Sequence, residues 1–195
     1  MRLFWRHGFE GVSMAHRARE TGVAAPTLYA TFGTRDQLFM AALDACAVSA
    51  GSLDLSVLDG ACTLTEAVGC LLDEAVRAVT DPQQERGCMF AIGMLACHPD
   101  HSHLAHEMAT RRNVLRNEVA IKLQHWTSPA RAASLARYLS TVLQGLSVQA
   151  RDGATPSDLQ LVAAEMVAGL FVQTGLPQRA QETRFTPSRQ AGGLG

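Results

Sequence analysis

The sequence has few charged residues and no long apolar run, and each of these two shortages excludes a class of protein. Only 18% of the 195 residues are charged and the formal net charge is -1, which argues against intrinsic disorder and against a uniformly basic nucleic-acid-binding chain. The longest apolar run, from Cys88 to Cys97, falls well short of the ~18 residues that a membrane span needs. The first residues contain no apolar stretch of signal-peptide length. We therefore expect a soluble, cytoplasmic protein.

The sequence also lacks the paired motifs of metal sites and of common enzymes. Its five cysteines are odd in number and have no close zinc-type pairing, which favours reduced thiols in a cytoplasm. No glycine-rich phosphate loop or paired-carboxylate pattern is present. Cys88 or Cys97 with His98 would be a nucleophile and a base, but close neighbours on one helix cannot easily point at each other. We expect no catalysis and no cofactor.

Strand signals are scarce, whereas Ala, Leu, Arg, Glu and Met recur at helical spacing, so the predicted fold class is all-α. Ser13 is a predicted cap of a short helix that stops at Gly22, and Thr34 with Gln37 predicts a capping box that opens a helix to about residue 50. Further helices are predicted at 63–80, 85–98, 102–126, 130–151 and 157–173. A linker is predicted at 51–61 and a disordered tail at 176–195.

Two short helices joined by a turn at Gly22 form a predicted helix-turn-helix. Val23 and Leu28 are expected to face inward, and Pro26 suits the first turn of the second helix. The outward positions carry small, hydroxyl or aromatic side chains: Ala25, Thr27, Tyr29, Ala30 and Thr31. Small apolar and hydroxyl groups permit close approach to base edges in a major groove.

The N-terminal region up to Leu43 is mildly basic, because it contains five arginines and three acidic residues. Arg35 lies in the first turn of the next helix, where its side chain and unpaired backbone amides are suited to hold a DNA phosphate. Phe32 is expected in the core. Tyr29 has two interpretations, a phosphate-facing hydroxyl or simple core packing.

The run GFEGVSMAHRARETGVAAPTLYATFGTRDQLFMAAL resembles the DNA-binding domain of the TetR family of transcriptional regulators. The resemblance implies a helix-turn-helix domain at 1–50, a helical effector-binding and dimerisation domain at 62–175, and a homodimer on a palindromic operator. It implies a repressor that a small-molecule effector releases. On matching positions it places Ala25, Pro26, Tyr29, Ala30 and Thr31 at base edges, and Ser13, Thr27, Tyr29 and Arg35 at phosphates.

Two departures from the family pattern bear on DNA binding. The family usually has a longer first helix preceded by a basic arm, so the start is expected to be truncated or mis-started, or the DNA affinity reduced. Arg17 stands where the family usually has Leu, Ile or Val, and is expected to extend outward towards Glu10 or Glu20. The alternative function is therefore a relative that has lost DNA binding and acts only in ligand binding or protein interaction.

The predicted helix 102–126 has an apolar stripe that contains Arg112, with Arg111 at its margin beside Glu107. Arg112 is either a cationic anchor for an acidic or polar effector or an arginine that reaches solvent or an ion pair. The opening of ERGCMFAIGMLACH and the run LARYLSTVLQGLSVQARDGA resemble the C-terminal domain of a subset of the family. The candidate effector residues are Arg86, Met89, Phe90, Met94, Cys97 and Met108, together with Arg112. For Met89, Phe90, Met94 and Cys97 the alternative is ordinary core packing.

Four histidines lie close together in the sequence: His98, His101, His103 and His106. They are candidate zinc or copper ligands, but no standard metal-site spacing is met, so a metal sensor is the less favoured alternative and no metal is predicted. The broad apolar faces of helices 130–151 and 157–173 fit either a monomer core or half of a four-helix dimer interface. The family resemblance favours the dimer.

Overall fold

The computed structural model describes residues 1–47 and 53–172, and within these ranges it contains helices and no strand. The helices are α1 (Arg2–His7), α2 (Met14–Thr21), α3 (Ala25–Phe32), α4 (Arg35–Ala47), α5 (Leu64–Thr80), α6 (Met89–Ile92), α7 (Ser102–Leu123), α8 (Pro129–Arg151) and α9 (Pro156–Val172). Short 3-10 turns lie at Leu55–Leu58 and Pro99–His101. The all-α prediction is confirmed, whereas the predicted tail at 176–195 and part of the predicted linker lie outside the described residues.

Local capping accounts for where several helices begin and end. The Ser13 hydroxyl accepts a hydrogen bond from the His16 amide at 3.1 Å and opens α2, and Gly22 ends it with φ 68°. The predicted capping box is present, because the Thr34 amide donates to Gln37 Oε1 at 2.8 Å and the Gln37 amide donates to Thr34 Oγ1 at 3.2 Å. The segment predicted to be helical at 85–98 is mostly not helical.

Only four residues of that segment, Met89–Ile92, form a helical turn. The chain leaves the helix at Gly93, and Met94 has a positive φ of 53°. Leu95, which follows Met94 in this apolar run, is exposed. The apolar composition does not produce a long helix here because long-range contacts hold the segment, as described below for Arg86 and Arg112.

Two apolar clusters form the core. The larger one joins α5, α7, α8 and α9, and its fully buried members include Leu71, Leu72, Leu123, Leu139 and Leu146. The smaller one joins α1 and α4 to α6 and α7, and its members include Phe4, Phe9, Phe39, Met89, Leu104 and Met108. Helices α1 and α4 therefore share a core with α6 and α7. Because this core is closely packed, a shift of α6 would change the packing of Phe39 in α4.

Polar contacts also tie α1 to the C-terminal helices. Arg6 makes an ion pair of 2.7 Å with Glu85, in the loop before α6. The Arg151 guanidinium, at the end of α8, donates to the carbonyl oxygens of Trp5, at 2.8 Å, and of Arg6. These carbonyls belong to the last turn of α1, where helix geometry leaves acceptors unpaired. Arg151 therefore caps α1 from another helix.

The Arg86-Gly87-Cys88-Met89 motif fastens the loop before α6 to the end of α8. Arg86 donates to the carbonyl oxygens of Ala150, at 2.8 Å, and Ala154. Gly87 has φ 81°, and a Cβ atom there would lie 2.8 Å from the Ser147 carbonyl oxygen. The Cys88 amide donates to Ser147 Oγ at 2.6 Å. Glycine at 87 thus meets both a left-handed backbone and a close approach to α8.

We expect Gly87→Ala to lower the free energy of unfolding by at least about 2 kcal/mol, since the left-handed conformation costs a side chain about 1–2 kcal/mol and the contact with the Ser147 backbone adds to it. The matched control is Gly69→Ala in α5, where a Cβ atom would meet nothing within 4 Å. That change should raise stability by about 0.5–1 kcal/mol. Urea unfolding at one fixed protein concentration measures both. Equal stability of the two variants would contradict this account of Gly87.

Candidate nucleic-acid interface and ligand cavity

Helices α2 and α3 form the predicted helix-turn-helix. Gly22, with φ 68° and ψ 5°, turns the chain between them, and Leu28 points inward as predicted. Two other predictions here are wrong. Val23 is 37% exposed and Phe32 is 38% exposed, so neither is a core residue. These two side chains lie at the margin of the N-terminal domain formed by α1–α4, which we call the head. Its centre is filled instead by Phe4 of α1, Phe9 of the following turn and Phe39 of α4.

The outer face of α3 is exposed and carries no charge. Pro26, Thr27, Ala30 and Thr31 are all exposed. The Thr31 hydroxyl donates to the Thr27 carbonyl oxygen at 2.9 Å, which leaves its oxygen available as an acceptor. Ala25 and Tyr29 belong to the same helix, but their side chains, like that of Arg17, lie outside the described residues. The two interpretations of Tyr29 therefore stay predictions.

The N-terminus of α2 is a second exposed element of this region. Ser13 is exposed, and because its oxygen accepts from His16, its O–H remains able to donate. The first turn of α2 contains no acidic residue. A phosphate could therefore approach the hydroxyl and the first amides of α2 without meeting a carboxylate in that turn.

Arg35 is held inside the head rather than extended from it. Its guanidinium stacks over the Phe9 ring at 4.1 Å from the centroid and donates to the Phe9 carbonyl oxygen. Arg35 Nε is buried and has no hydrogen-bond partner among the residues that the structure describes. The phosphate contact predicted for Arg35 stays a prediction and requires this side chain to swing outward. Arg35→Ala would also remove packing on Phe9, so it does not isolate a DNA contact.

An apolar cavity of about 70 Å³ lies among α5, α6, α7 and α8, whereas one water molecule needs roughly 10–15 Å³. We call it the α7 cavity. Two of the predicted effector residues, Phe90 and Arg112, line it. Sequence reasoning missed the rest of its wall, which includes Ala75, Val79, Leu115, Arg116, Ser140 and Leu143. The spacing of Arg112 and Arg116, one turn apart on α7, is the sequence signal that would have placed Arg116 beside Arg112 on the same side of the helix.

Arg112 is half-buried, and its Nη1 atom donates to the carbonyl oxygens of Phe90 and Gly93, both at 3.0 Å. Burial lowers the pKa of Arg112. None of the ion pairs in the described part of the chain includes it, so the salt-bridged alternative does not hold there. Arg111, in contrast, pairs with Glu107, as predicted, and also with Asp44, at 2.7 and 2.6 Å.

The other candidate effector residues lie elsewhere. Met89 and Met94 line a second cavity of about 340 Å³ together with Trp5 and Arg151. Arg86, Cys97 and Met108 line neither cavity. Arg86 is bonded to the end of α8 and Met108 is buried in the smaller core cluster. For Arg86 and Met108 the structure therefore provides a structural role, which the sequence analysis did not predict.

Cys88 lines the α7 cavity, where burial raises the pKa of its thiol. A raised pKa leaves the neutral thiol at neutral pH, and the thiol is a far weaker nucleophile than the thiolate. The environment of Cys88 therefore does not favour the nucleophile role weighed for it.

The four histidines do not converge. His98 lies 3.4 Å from Asp100, and His103 Nε2 lies 2.9 Å from an Asp36 oxygen. His101 packs its ring against Phe9, and His106 is exposed. Across residues 1–47 and 53–172, no group of three His, Cys, Asp or Glu side chains is arranged to hold a metal ion.

The long helices α7 and α8 do not have membrane-spanning character. Over the portion of the chain with described coordinates, no helix combines the length and the apolar content that a bilayer crossing requires.

Comparison with known proteins agrees with this architecture. Residues 1–42 match the family model described as bacterial regulatory proteins, tetR family. The chain is 27% identical over 170 residues to the HTH-type transcriptional repressor ComR of Escherichia coli K12, covering 84% of this chain and 81% of ComR. It is 29% identical over 178 residues to the HTH-type transcriptional repressor BdcR of the same organism, covering 90% and 86%.

The structural comparison extends over most of the chain. A cysteine mutant of the TetR family transcriptional regulator CifR, solved with a 26-base-pair double-strand operator DNA, superposes with a TM-score of 0.79 at 28% identity. The match covers 86% of this chain and 90% of that one, so it includes both the N-terminal helices and the C-terminal ones. The family model therefore covers the N-terminal helices, and over most of its length the chain is similar to transcriptional repressors and to a regulator of the TetR family.

Proposed function

We propose that this protein is a DNA-binding transcriptional repressor that releases its operator when a small molecule occupies the α7 cavity. The observation that carries the proposal is the uncharged, exposed outer face of α3, presented after a glycine turn by a head of the same family as operator-bound CifR. Such a face suits a major groove because it brings methyl and hydroxyl groups to base edges without desolvating charge.

Base contacts fall to the outer face of α3, and phosphate contacts to its flanks. Pro26, Ala30 and Thr31 lie where base edges would be read, with Ala25 and Tyr29 on the same helix. Ser13 at the start of α2 and Thr27 at the start of α3 are exposed and suited to donate to phosphates. Arg35 would join them only by leaving Phe9.

Helix α6 is suited to carry a signal from the α7 cavity to the head. Phe90 lines the cavity, whereas its neighbour Met89 is buried in the smaller core cluster with Phe4 and Phe39. A molecule that displaces Phe90 therefore also displaces Met89 and disturbs the packing of α1 and α4. Release of DNA then follows from tighter binding of the effector to the conformation that fits the operator less well.

A homodimer completes the proposal. Two heads related by a two-fold axis read two half-sites of a palindromic operator about one helical turn apart. Exposed apolar side chains on α8 and α9 support this dimer, and their test is argued in the Discussion.

Fluorescence anisotropy tests the DNA-binding proposal. The purified protein is titrated into labelled duplexes that tile the intergenic DNA upstream of its own gene, and into an unrelated duplex of equal length, at ~50 and ~200 mM salt. We expect one upstream duplex to bind at least about 1,000-fold more tightly than the unrelated one, with an affinity that falls at least about tenfold at the higher salt. Equal binding of all duplexes at both salts would instead favour a relative that has lost DNA binding.

A further inference from the structure

The charge of the α7 cavity is unbalanced. Among the described residues, Arg112 and Arg116 are the only charged side chains that line it, and none of these lining residues is Asp or Glu. Both arginines project from α7 one turn apart. The wall opposite them, on α8, offers neutral hydrogen-bonding groups from Ser140 and Gln144. The rest of the lining is almost entirely apolar, so the cavity has a cationic end and a hydrocarbon-like body.

Neither arginine has a carboxylate partner within the ranges that the structure describes. Arg112 donates to two carbonyl oxygens, of Phe90 and Gly93, through its Nη1 atom. Arg116 donates from Nη1 to the neutral Asn113 oxygen at 2.8 Å. A guanidinium has five N–H donors in a planar fork, so both side chains retain donors beyond these contacts. Their neighbour Arg111, which does not line the cavity, is paired with two carboxylates.

Burying a guanidinium beside an apolar cavity without a counter-ion is unfavourable. A ligand carboxylate would supply the missing negative charge and accept charge-assisted hydrogen bonds from one or both forks. A neutral ligand would leave the imbalance in place, and a cation would be repelled. We propose that the α7 cavity binds an apolar monocarboxylate, with its carboxylate between Arg112 and Arg116 and its hydrocarbon part against Val79, Leu115 and Leu143.

The size and shape of the cavity select the class of carboxylate. About 70 Å³ is less than the ~150 Å³ in which an engineered cavity binds benzene, so a large polycyclic molecule does not fit, and a slender alkyl chain that displaces side chains such as Phe90 needs the least widening. The larger second cavity is less suited to the same ligand, because Arg151, which lines it, is already engaged with the carbonyl oxygens at the end of α1. Short- and medium-chain fatty acids are therefore the appropriate probes.

Isothermal titration calorimetry on the full chain, without DNA, tests the proposal. The probes are hexanoate, octanoate and decanoate, with octan-1-ol and octylamine as neutral and cationic analogues of equal chain length. We expect at least one carboxylate to bind, and octanoate to bind at least about tenfold more tightly than octan-1-ol. Equal affinity for the carboxylate and the alcohol, or no binding by any of the three carboxylates, would overturn the proposal.

Two variants assign the carboxylate to its residues. Arg112→Gln and Arg116→Gln should each weaken octanoate binding at least about tenfold and change octan-1-ol binding less than about twofold. Arg111→Gln is the matched control, because it removes the same charge one residue away and should leave octanoate affinity unchanged. Since Arg112 also holds α6 through Phe90 and Gly93, circular dichroism is used to check folding. Arg116→Gln, whose partner is a surface asparagine, keeps the test valid if Arg112→Gln unfolds. Undiminished octanoate binding in Arg116→Gln and in folded Arg112→Gln would contradict the assignment.

Carboxylate binding in the α7 cavity rests on the proposed function only for its effect on operator release. The ligand class and the repressor function can therefore each fail while the other holds. Adding octanoate to the protein–duplex complex should lower the anisotropy if both hold. Specific DNA binding without carboxylate preference would leave the repressor proposal intact and remove the ligand class. Arginine-dependent octanoate binding without specific DNA binding would keep the ligand class and remove the repressor.

Discussion

Ala30→Glu should lower the affinity for the specific upstream duplex at least about 100-fold while leaving the fold intact. Ala30 is exposed near the middle of α3. Because glutamate is a good helix former, the substitution should change the stability of the free protein only slightly. In the complex, the new carboxylate would enter a groove flanked by phosphates. Like charges brought together at an interface cost several kcal/mol, and each 1.4 kcal/mol is about tenfold in affinity. Anisotropy with the upstream duplex measures the loss.

The matched control is Ala133→Glu, an identical change at an exposed position of α8. It alters the net charge of the chain equally, so any general repulsion between protein and DNA appears in both variants. We expect Ala133→Glu to bind the duplex within about threefold of the unmodified protein. Similar losses in the two variants would show that net charge, rather than the outer face of α3, governs binding, and the recognition role of α3 would have to be withdrawn.

Features that depend on neighbouring residues were predictable from the sequence. Ser13, Gly22 and the Thr34 capping box each act within a few residues of their own position, so residue type and spacing sufficed. The boundaries of α5, α8 and α9 also follow from local caps and apolar periodicity. The same local signals carry the family resemblance in residues 8–43, which is why the function class was accessible before any coordinates.

Features that depend on distant contacts were not predictable. The segment at 85–98 has the composition of a buried helix, yet Arg112 binds the carbonyl oxygens of Phe90 and Gly93, about 20 residues away. Arg86 reaches the end of α8, more than 60 residues along the chain. Such distant donors determine whether a carbonyl oxygen accepts a hydrogen bond from an amide of its own helix or from another part of the chain. No pattern within a single sequence identifies these donors.

In the α7 cavity and in the head, too, the contacts of individual side chains could not be predicted from the sequence. Arg112 was recognised as unusual within an apolar stripe, but its pairing with Arg116 around a cavity required the positions of α5 and α8. Arg35 was assigned to a phosphate from its position in the family motif, whereas the structure stacks it on Phe9, 26 residues earlier. Both cases involve long arginine side chains, whose reach allows several partners that only the fold distinguishes.

Exposed apolar side chains on α8 and α9 support the proposed homodimer. In the single chain, Tyr138 on α8 and Leu161 and Val162 on α9 are exposed by 46%, 68% and 38%. At Gly145, on the outer side of α8, a Cβ atom would meet nothing within 4 Å among the described residues, so another helix can approach closely. Large apolar side chains grouped on two adjacent helices are typical of an interface between subunits. Leu159 and Ala163, in contrast, face the monomer core.

Leu161→Glu should convert the proposed homodimer to a monomer at micromolar concentration, because its two-fold axis would bring two copies of the new carboxylate into an apolar interface. The monomer should stay folded, since Leu161 is already 68% exposed in the single chain. Light scattering coupled to size-exclusion chromatography measures the mass. Affinity for the specific upstream duplex should fall at least about 100-fold, because a monomer brings one head to one half-site only.

The matched control is Ile121→Glu on α7, where an isoleucine with nearly the same exposure, 67%, lies outside α8 and α9. It adds the same charge and removes a similar apolar side chain, but we expect the variant to remain dimeric and to bind the duplex normally. If Leu161→Glu stays dimeric while Ile121→Glu dissociates, the interface lies on α7 rather than on α8 and α9. That result would also relocate the two-fold axis, and with it the spacing between the two copies of α3 that sets the half-site separation.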